Sequence, residues 1–292
     1  MVNDNRDAPT VTGMDFLCED LLLLAIDVCQ GRLGRVYAIS YGLMGAELVR
    51  LAATGRITIA EDQVLVCNTA PTGDAELDAA LARIGESASP PRPGDWVAWP
   101  RLGIVAGYLH RLEAARVIRA DTRWWLARYR VTDAARAAQT RRQLDAVARS
   151  AGPVDLGQAA YAGLACAIGL DRMLYRGRRG RAERGRLRDI AAGHWTASPP
   201  GAGDSVTAGP AAGQAALQAT MTQSAREAYE AQRKATQAAV GAASLAAIAV
   251  ATRAAVDAAT QAVANATAAT AHGGMAGGHG GGGHGGHGGH GG

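Results

Sequence analysis

Hydrophobic positions in the first two thirds of the chain recur mostly at helical spacing. Asp15, Glu19 and Asp20 lie in the opening turns of an apolar stretch that runs through 21–26. Acidic groups there suit the positive end of a helix dipole, and Thr12 is a candidate cap. Met44, Leu48 and Leu51 repeat at i, i+4 and i+7 and stop before Gly55, a residue able to terminate a helix in the left-handed conformation. Two short apolar runs, 57–59 and 64–67, flank Glu61-Asp62-Gln63 and predict a pair of strands. Pro71-Thr72-Gly73-Asp74 predicts a turn that ends in an N-cap. Asp74, Glu76 and Asp78 make the first turn acidic, and Leu77, Leu81 and Ile84 form one face. This stretch is the start of a helix rather than a catalytic loop.

Pro90, Pro91, Pro93 and Gly94 predict a loop, and Leu102, Val105, Leu109 and Leu112 stripe a further helix. Over 123–131 the pattern becomes alternating. Trp125, Ala127, Tyr129 and Val131 face one way, and Trp124, Leu126, Arg128 and Arg130 the other, as in a strand. Asp133 and Pro153 are expected to open two more helices. In the second of these, Leu156, Ala160, Gly163 and Ala167 suit close helix packing. The fold class read from this is mainly α: a compact multi-helix domain with small β elements.

After Trp195 the character changes. We expect a domain at 14–197, a Pro/Gly/Ala-rich linker at 198–213, an Ala-rich helical extension at 214–271, and a disordered Gly/His tail at 272–292. A fragment ending at Pro200 holds every Trp and most large apolar residues, so it is expected to fold alone. The extension has strong helix propensity but little bulk for a core of its own.

The chain has 292 residues and a net charge of only +4, so charge alone defines no partner. Phe16 is the single phenylalanine and Lys234 the single lysine, a compositional bias that weakens any reading of Arg over Lys as a chemical requirement. Cys18, Cys29, Cys67 and Cys166 are scattered without a C-x-x-C pair, as expected of reduced thiols. The polar start is no secretory signal, and the uncharged stretch 235–252 is mostly Ala and too weakly apolar to span a bilayer. A cytoplasmic protein is expected. No phosphate-binding loop, H-E-x-x-H or G-x-S-x-G motif occurs, so no enzyme and no cofactor is predicted. His279, His284, His287 and His290 are candidate imidazole ligands, but glycine spacers preset no geometry, and the tail is read as low complexity with no metal function.

Three stretches in order carry a resemblance: Leu17-Cys18-Glu19-Asp20 with the run that follows, YGLMGAELVRLAATGRI at 41–57, and APTGDAELDAALARI at 70–84. They resemble the Golgi phosphoprotein 3 family, over about 14–195, in the form of a bacterial-type member. The resemblance implies a peripheral membrane protein that reads phosphatidylinositol 4-phosphate, and a hairpin that also mediates self-association. The family's pocket uses a Trp and an Arg around the second helix, then an Arg-x-x-Arg on a later one. Here these positions fall near Arg35, at Met44, and at Leu102 and Val105, with Arg101 one residue off. Their loss is expected to weaken or abolish head-group selectivity.

The candidate lipid-binding residues are therefore Arg32, Arg35 and Arg101, the hairpin's Trp124, Arg128 and Arg130, and the basic run with Arg176, Arg178, Arg179 and Arg181. Clustered guanidiniums attract lipid phosphate, and an indole suits the head-group layer. With no helix-turn-helix or RNA-binding signature, nucleic acid is not the expected partner. The expected function is peripheral binding to anionic phospholipid, phosphoinositides included. The alternative is a protein-interaction adaptor that oligomerises through its hairpin and recruits a partner through the Ala-rich extension.

Overall fold

The structure, a computed structural model, describes residues 14–28, 33, 36–121, 128–193 and 245–269. Its centre is α2 (Val36–Ala53), in which all but one of the positions 38–52 are buried. A helix apolar around most of its circumference must be covered on all sides. The cover comes from α1 (Leu17–Val28), α3 (Ala75–Gly85), α4 (Pro93–Ala98), α5 (Ile104–Ala114) and α7 (Leu156–Ala167). Gly55, at φ +67°, ends α2 as expected: its own amide bonds to Ala52 and the Arg56 amide reaches back to Leu51.

β1 (Ile57–Ala60) and β2 (Gln63–Val66) form an antiparallel hairpin in which Ala60 opposes Gln63. Gln63, placed in the turn by the sequence reading, opens the second strand instead. Glu61 and Asp62 make the two-residue turn, at φ 51° and 59°, the conformation whose twist matches that of the flanking strands. Asp74 caps α3, and Leu77, Leu81 and Ile84 are buried on one face, as the pattern predicts. Two local readings are corrected. Pro93 lies not in a loop but in the first turn of α4, where a missing N–H costs nothing. Leu102 is not on the buried stripe of α5. Gly103 at φ +84° turns the chain before that helix begins, and Leu102 is left fully exposed.

β3 (Ile118–Asp121) and β4 (Arg128–Val131) form a second antiparallel hairpin. The predicted alternation holds over the described part. Tyr129 and Val131 join Ile118 toward the core, while Arg128 and Arg130 are exposed. Residues 122–127, with Trp124 and Trp125, lie outside the described residues. α6 (Ala134–Arg149) is capped by Asp133, as expected. α7 is capped by Asp155 in a reciprocal arrangement with Gln158, two residues after the predicted Pro153. α8 (Leu170–Leu174), a turn, and α9 (Arg181–Ala191) complete this part of the chain. The fold is mainly α with two small hairpins.

The Ala-rich extension is described at 245–269, where it forms one helix, α10. Rather than standing apart, it buries Ile248, Ala251, Ala255, Val256 and Ala259 against the body. Small side chains allow this contact. A Cβ added to Gly45 of α2 would lie 3.3 Å from the Ala255 carbonyl oxygen, and one added to Gly163 of α7 would lie 2.7 Å from Val256 Cγ2. The small-residue spacing on α7, read as a packing surface, is met by this helix. The linker at 198–213 and the His-containing tail lie outside the described residues.

Gly163 therefore separates two effects. In a chain ending at residue 244, Gly163→Ala should stabilise by about 0.5–1 kcal/mol, because alanine is the better helix former. In the full chain the same substitution should instead cost stability, with a difference between the two chains of about 1–3 kcal/mol from overpacking. Val256→Ala should erase that difference. Urea unfolding of the six proteins, each background with and without Gly163→Ala, checks it; an equal effect in both chain lengths would show that α10 does not dock on Gly163.

Candidate functional site

α2 carries two charged groups into the interior, and neighbouring helices supply their partners. Glu47 is fully buried. It accepts from Arg101, with which it forms a close ion pair, and from the Tyr108 hydroxyl at 3.2 Å. Arg101 also pairs with Glu76 at 3.1 Å. One turn along α2, Arg50 pairs at 2.9 Å with Asp74, the cap of α3. Asp74 pairs in turn with Arg111 at 2.6 Å, which reaches Glu19 of α1 at 2.7 Å. The preceding turn is held from the same helix: Thr72 donates through its amide and hydroxyl to Asp78, at 2.6 and 2.7 Å.

The protonation of these groups follows from burial set against pairing. Burial raises the Glu47 carboxyl from 4.5 to about 7, with Arg101 and Tyr108 only partly opposing it. Its Oε2 finds no hydrogen-bond partner among the described residues. Burial also raises Glu19, against Arg111. Burial pushes Asp74 up too, but the Arg111 hydrogen bond and the Arg50 and Arg111 charges outweigh it, so its carboxyl lies below the usual range. Burial pushes the Cys166 thiol up to about 12, leaving it protonated at neutral pH and a poor nucleophile. Among the described residues, no group of three or more His, Cys, Asp or Glu side chains is placed to hold a metal ion.

Beside this network, a cavity of about 700 Å³ opens between the N-terminal turns of α2 and α5 and the inner face of β4. Leu33, Val36, Pro100, Leu102, Ile104, Val105 and Leu109 give it an apolar wall, with Tyr37, Ser40, Arg101 and Tyr129 as its polar members. At its rim Val36 and Tyr37 are exposed, Tyr37 to 77%. α5 begins there without a side-chain cap, so the positive end of its dipole faces the opening.

The family profile of Golgi phosphoprotein 3 (GPP34) matches residues 17–206. The chain belongs to the Golgi phosphoprotein 3 family. No curated protein matches it. The match takes in the helical body with its ion network and the cavity, and it ends before α10.

Within this family frame the predicted site residues separate. Arg101 reaches the cavity wall, and its guanidinium is paired there with Glu47 and Glu76. Met44 is buried in the core, and Ser40, one turn earlier on α2, lines the cavity in its place. Leu102 and Val105 do lie at the cavity, where they make its wall apolar. Arg128 and Arg130 are exposed on β4, and Tyr129 between them lines the cavity. Arg176, Arg178, Arg179 and Arg181 are exposed around the turn between α8 and α9, and none is in an ion pair among the described residues. Three arginines further along the run brace the fold instead. Arg184 donates to the carbonyls of Tyr175 and Gly177, Arg186 to Gly152, and Arg188 pairs with Asp171. Arg32, Arg35 and Trp124 lie outside the described residues. Sequence reasoning missed Tyr37 and Val36. Their signal was an apolar pair at the start of a helix, just after the Arg-flanked Leu33.

Removing Asp74 tests the network. Asp74→Ala strips the α3 cap and leaves Arg50, itself largely buried, without its partner; denaturant unfolding should show a loss of about 3–5 kcal/mol. Glu47 gives a pH signature. Its raised carboxyl contributes stability that is complete below about 4.5 and is lost as pH rises through about 7. The melting temperature of Glu47→Gln minus that of the parent should therefore increase across this window and level off above it. A difference independent of pH would mean that Glu47 does not titrate there.

Proposed function

We propose that this family member is a peripheral membrane protein that docks on anionic phospholipid through the cavity face. The observation that carries this is the exposed apolar rim of Val36, Tyr37 and Leu102 beside a strand whose outer face presents Arg128 and Arg130. Apolar side chains that enter the acyl boundary, next to cations at phosphate level, are the two ingredients of reversible interfacial binding. The arginine turn at 176–181 adds a second cationic patch. Among the described residues no helix is long and apolar enough to cross a membrane. Selective reading of phosphatidylinositol 4-phosphate is not what the geometry favours. The family's guanidinium positions are Met44, Leu102 and Val105, and Arg101 is committed to carboxylates. Surface charge rather than head-group identity sets the affinity in this reading.

Co-sedimentation with phosphatidylcholine vesicles, with and without phosphatidylglycerol, tests it. Binding should need the anionic lipid and fall with added salt, which screens charges over about 8 Å at physiological strength. A phosphoinositide at matched surface charge should perform no better. Arg128→Ala and Arg130→Ala should each weaken binding about fivefold, equivalent to ~1 kcal/mol per basic residue. Tyr37→Asp with Leu102→Asp should abolish it without changing the melting temperature. A dimer that substitutions in the β3–β4 hairpin dissociate, with no vesicle binding at low salt, would replace this reading by the adaptor one.

A further inference from the structure

We infer that the cavity at the α2–α5 junction is a hydrocarbon site that takes one acyl chain of an anionic amphiphile, leaving the head group at the mouth. The inference rests on the membrane reading for its choice of a phospholipid. Its physical basis is the wall itself. Leu33, Val36, Pro100, Ile104, Val105 and Leu109 offer no hydrogen bond from a side chain. Two of the four polar side chains in the wall are already engaged: the Ser40 hydroxyl donates to the Val36 carbonyl at 2.8 Å, and Arg101 is held by Glu47 and Glu76; the other two are the amphipathic rings of Tyr37 and Tyr129. A phosphate pushed inside would lose its water and gain no guanidinium, whereas a hydrocarbon chain would lose nothing polar.

The size is suitable. A volume of about 700 Å³ falls within the roughly 300–1,000 Å³ of small-ligand pockets. The positive end of α5 lies at the opening, because that helix starts there without a side-chain cap. Arg119, Arg128 and Arg130 are exposed on the hairpin face opposite the Tyr129 side that closes the wall, a face that also carries Asp121. An anionic head left outside meets the helix dipole, and the tail meets the apolar wall. The chain's own described C-terminal helix is not the occupant. It lies against Gly45 and Gly163, while the cavity takes its α2 wall from Val36, Tyr37 and Ser40.

Chain length is the diagnostic. Monoacyl phosphatidylglycerols of increasing acyl length, each kept below its critical micelle concentration, are titrated calorimetrically into the full-length protein. Affinity should rise by up to about fourfold per added methylene, the equivalent of ~0.8 kcal/mol, until the cavity is full and a plateau is reached. Ala106→Phe, at an exposed wall position, should lower the plateau and shorten the length at which it begins, with the melting temperature unchanged. That variant should still bind anionic vesicles through the exposed arginines. Vesicle binding by the parent protein with no dependence on acyl length, or with a dependence that Ala106→Phe leaves intact, would overturn the acyl site while sparing the membrane reading. Length-dependent binding of the monoacyl lipid by a protein that ignores vesicles would support the site and overturn the membrane reading instead.

Discussion

Two charges on a buried helix set the terms for the rest of this fold. Glu47 and Arg50 occupy neighbouring turns of α2, which is covered along almost its entire length. An unpaired charge in such a place costs far more than a surface ion pair returns, so the surrounding elements must arrive with partners in register. Arg101 and Tyr108 come from the α5 region, Asp74 from the cap of α3, and Arg111 extends the chain of charges to Glu19 on α1. The helices are thereby locked to one another by a geometry that nonspecific apolar packing would not specify.

This accounts for the structural work done by the most diagnostic motif of the chain. Pro71-Thr72-Gly73-Asp74 builds the turn that aims one carboxylate at three tasks: two amides of α3, Arg50 and Arg111. Its residues are consumed by structure. Arg101 is consumed in the same way, although it borders the cavity. What remains for function is what the network leaves uncovered, namely an apolar hollow and a scatter of exposed arginines.

α10 and the cavity occupy different stretches of α2. Along 42–49 the helix is narrow, with Gly42 and Gly45 admitting Ile168 and Ala255; its first turn instead carries Val36 and Tyr37 outward. One segment is finished by the chain's own extension and the other is left open. The family match stops before α10, so the helix that covers Gly163 with Val256 lies outside the matched region.

Local order was legible in the sequence wherever a short-range cause produced it. Asp74 and Asp133 as caps, Gly55 as a terminator, and the alternation of Arg128, Tyr129, Arg130 and Val131 each depend on residues a few positions apart. The three family stretches, lying close in sequence, identified the family in the same way. Errors came where the deciding neighbour was distant or the backbone changed direction. Leu102 looks like one more member of a helical stripe until Gly103 turns the chain, and Arg101 looks like a free cation until Glu47, far away in sequence, claims it. Alanine at 251, 255 and 259 signals helix but not burial, because its small side chain reports propensity and is silent about what it touches. The sequence by itself determined helices, caps, hairpins and family. The tertiary structure decided which charges are spent on one another and which apolar residues face solvent, because pairing and burial are properties of neighbours brought together only by folding.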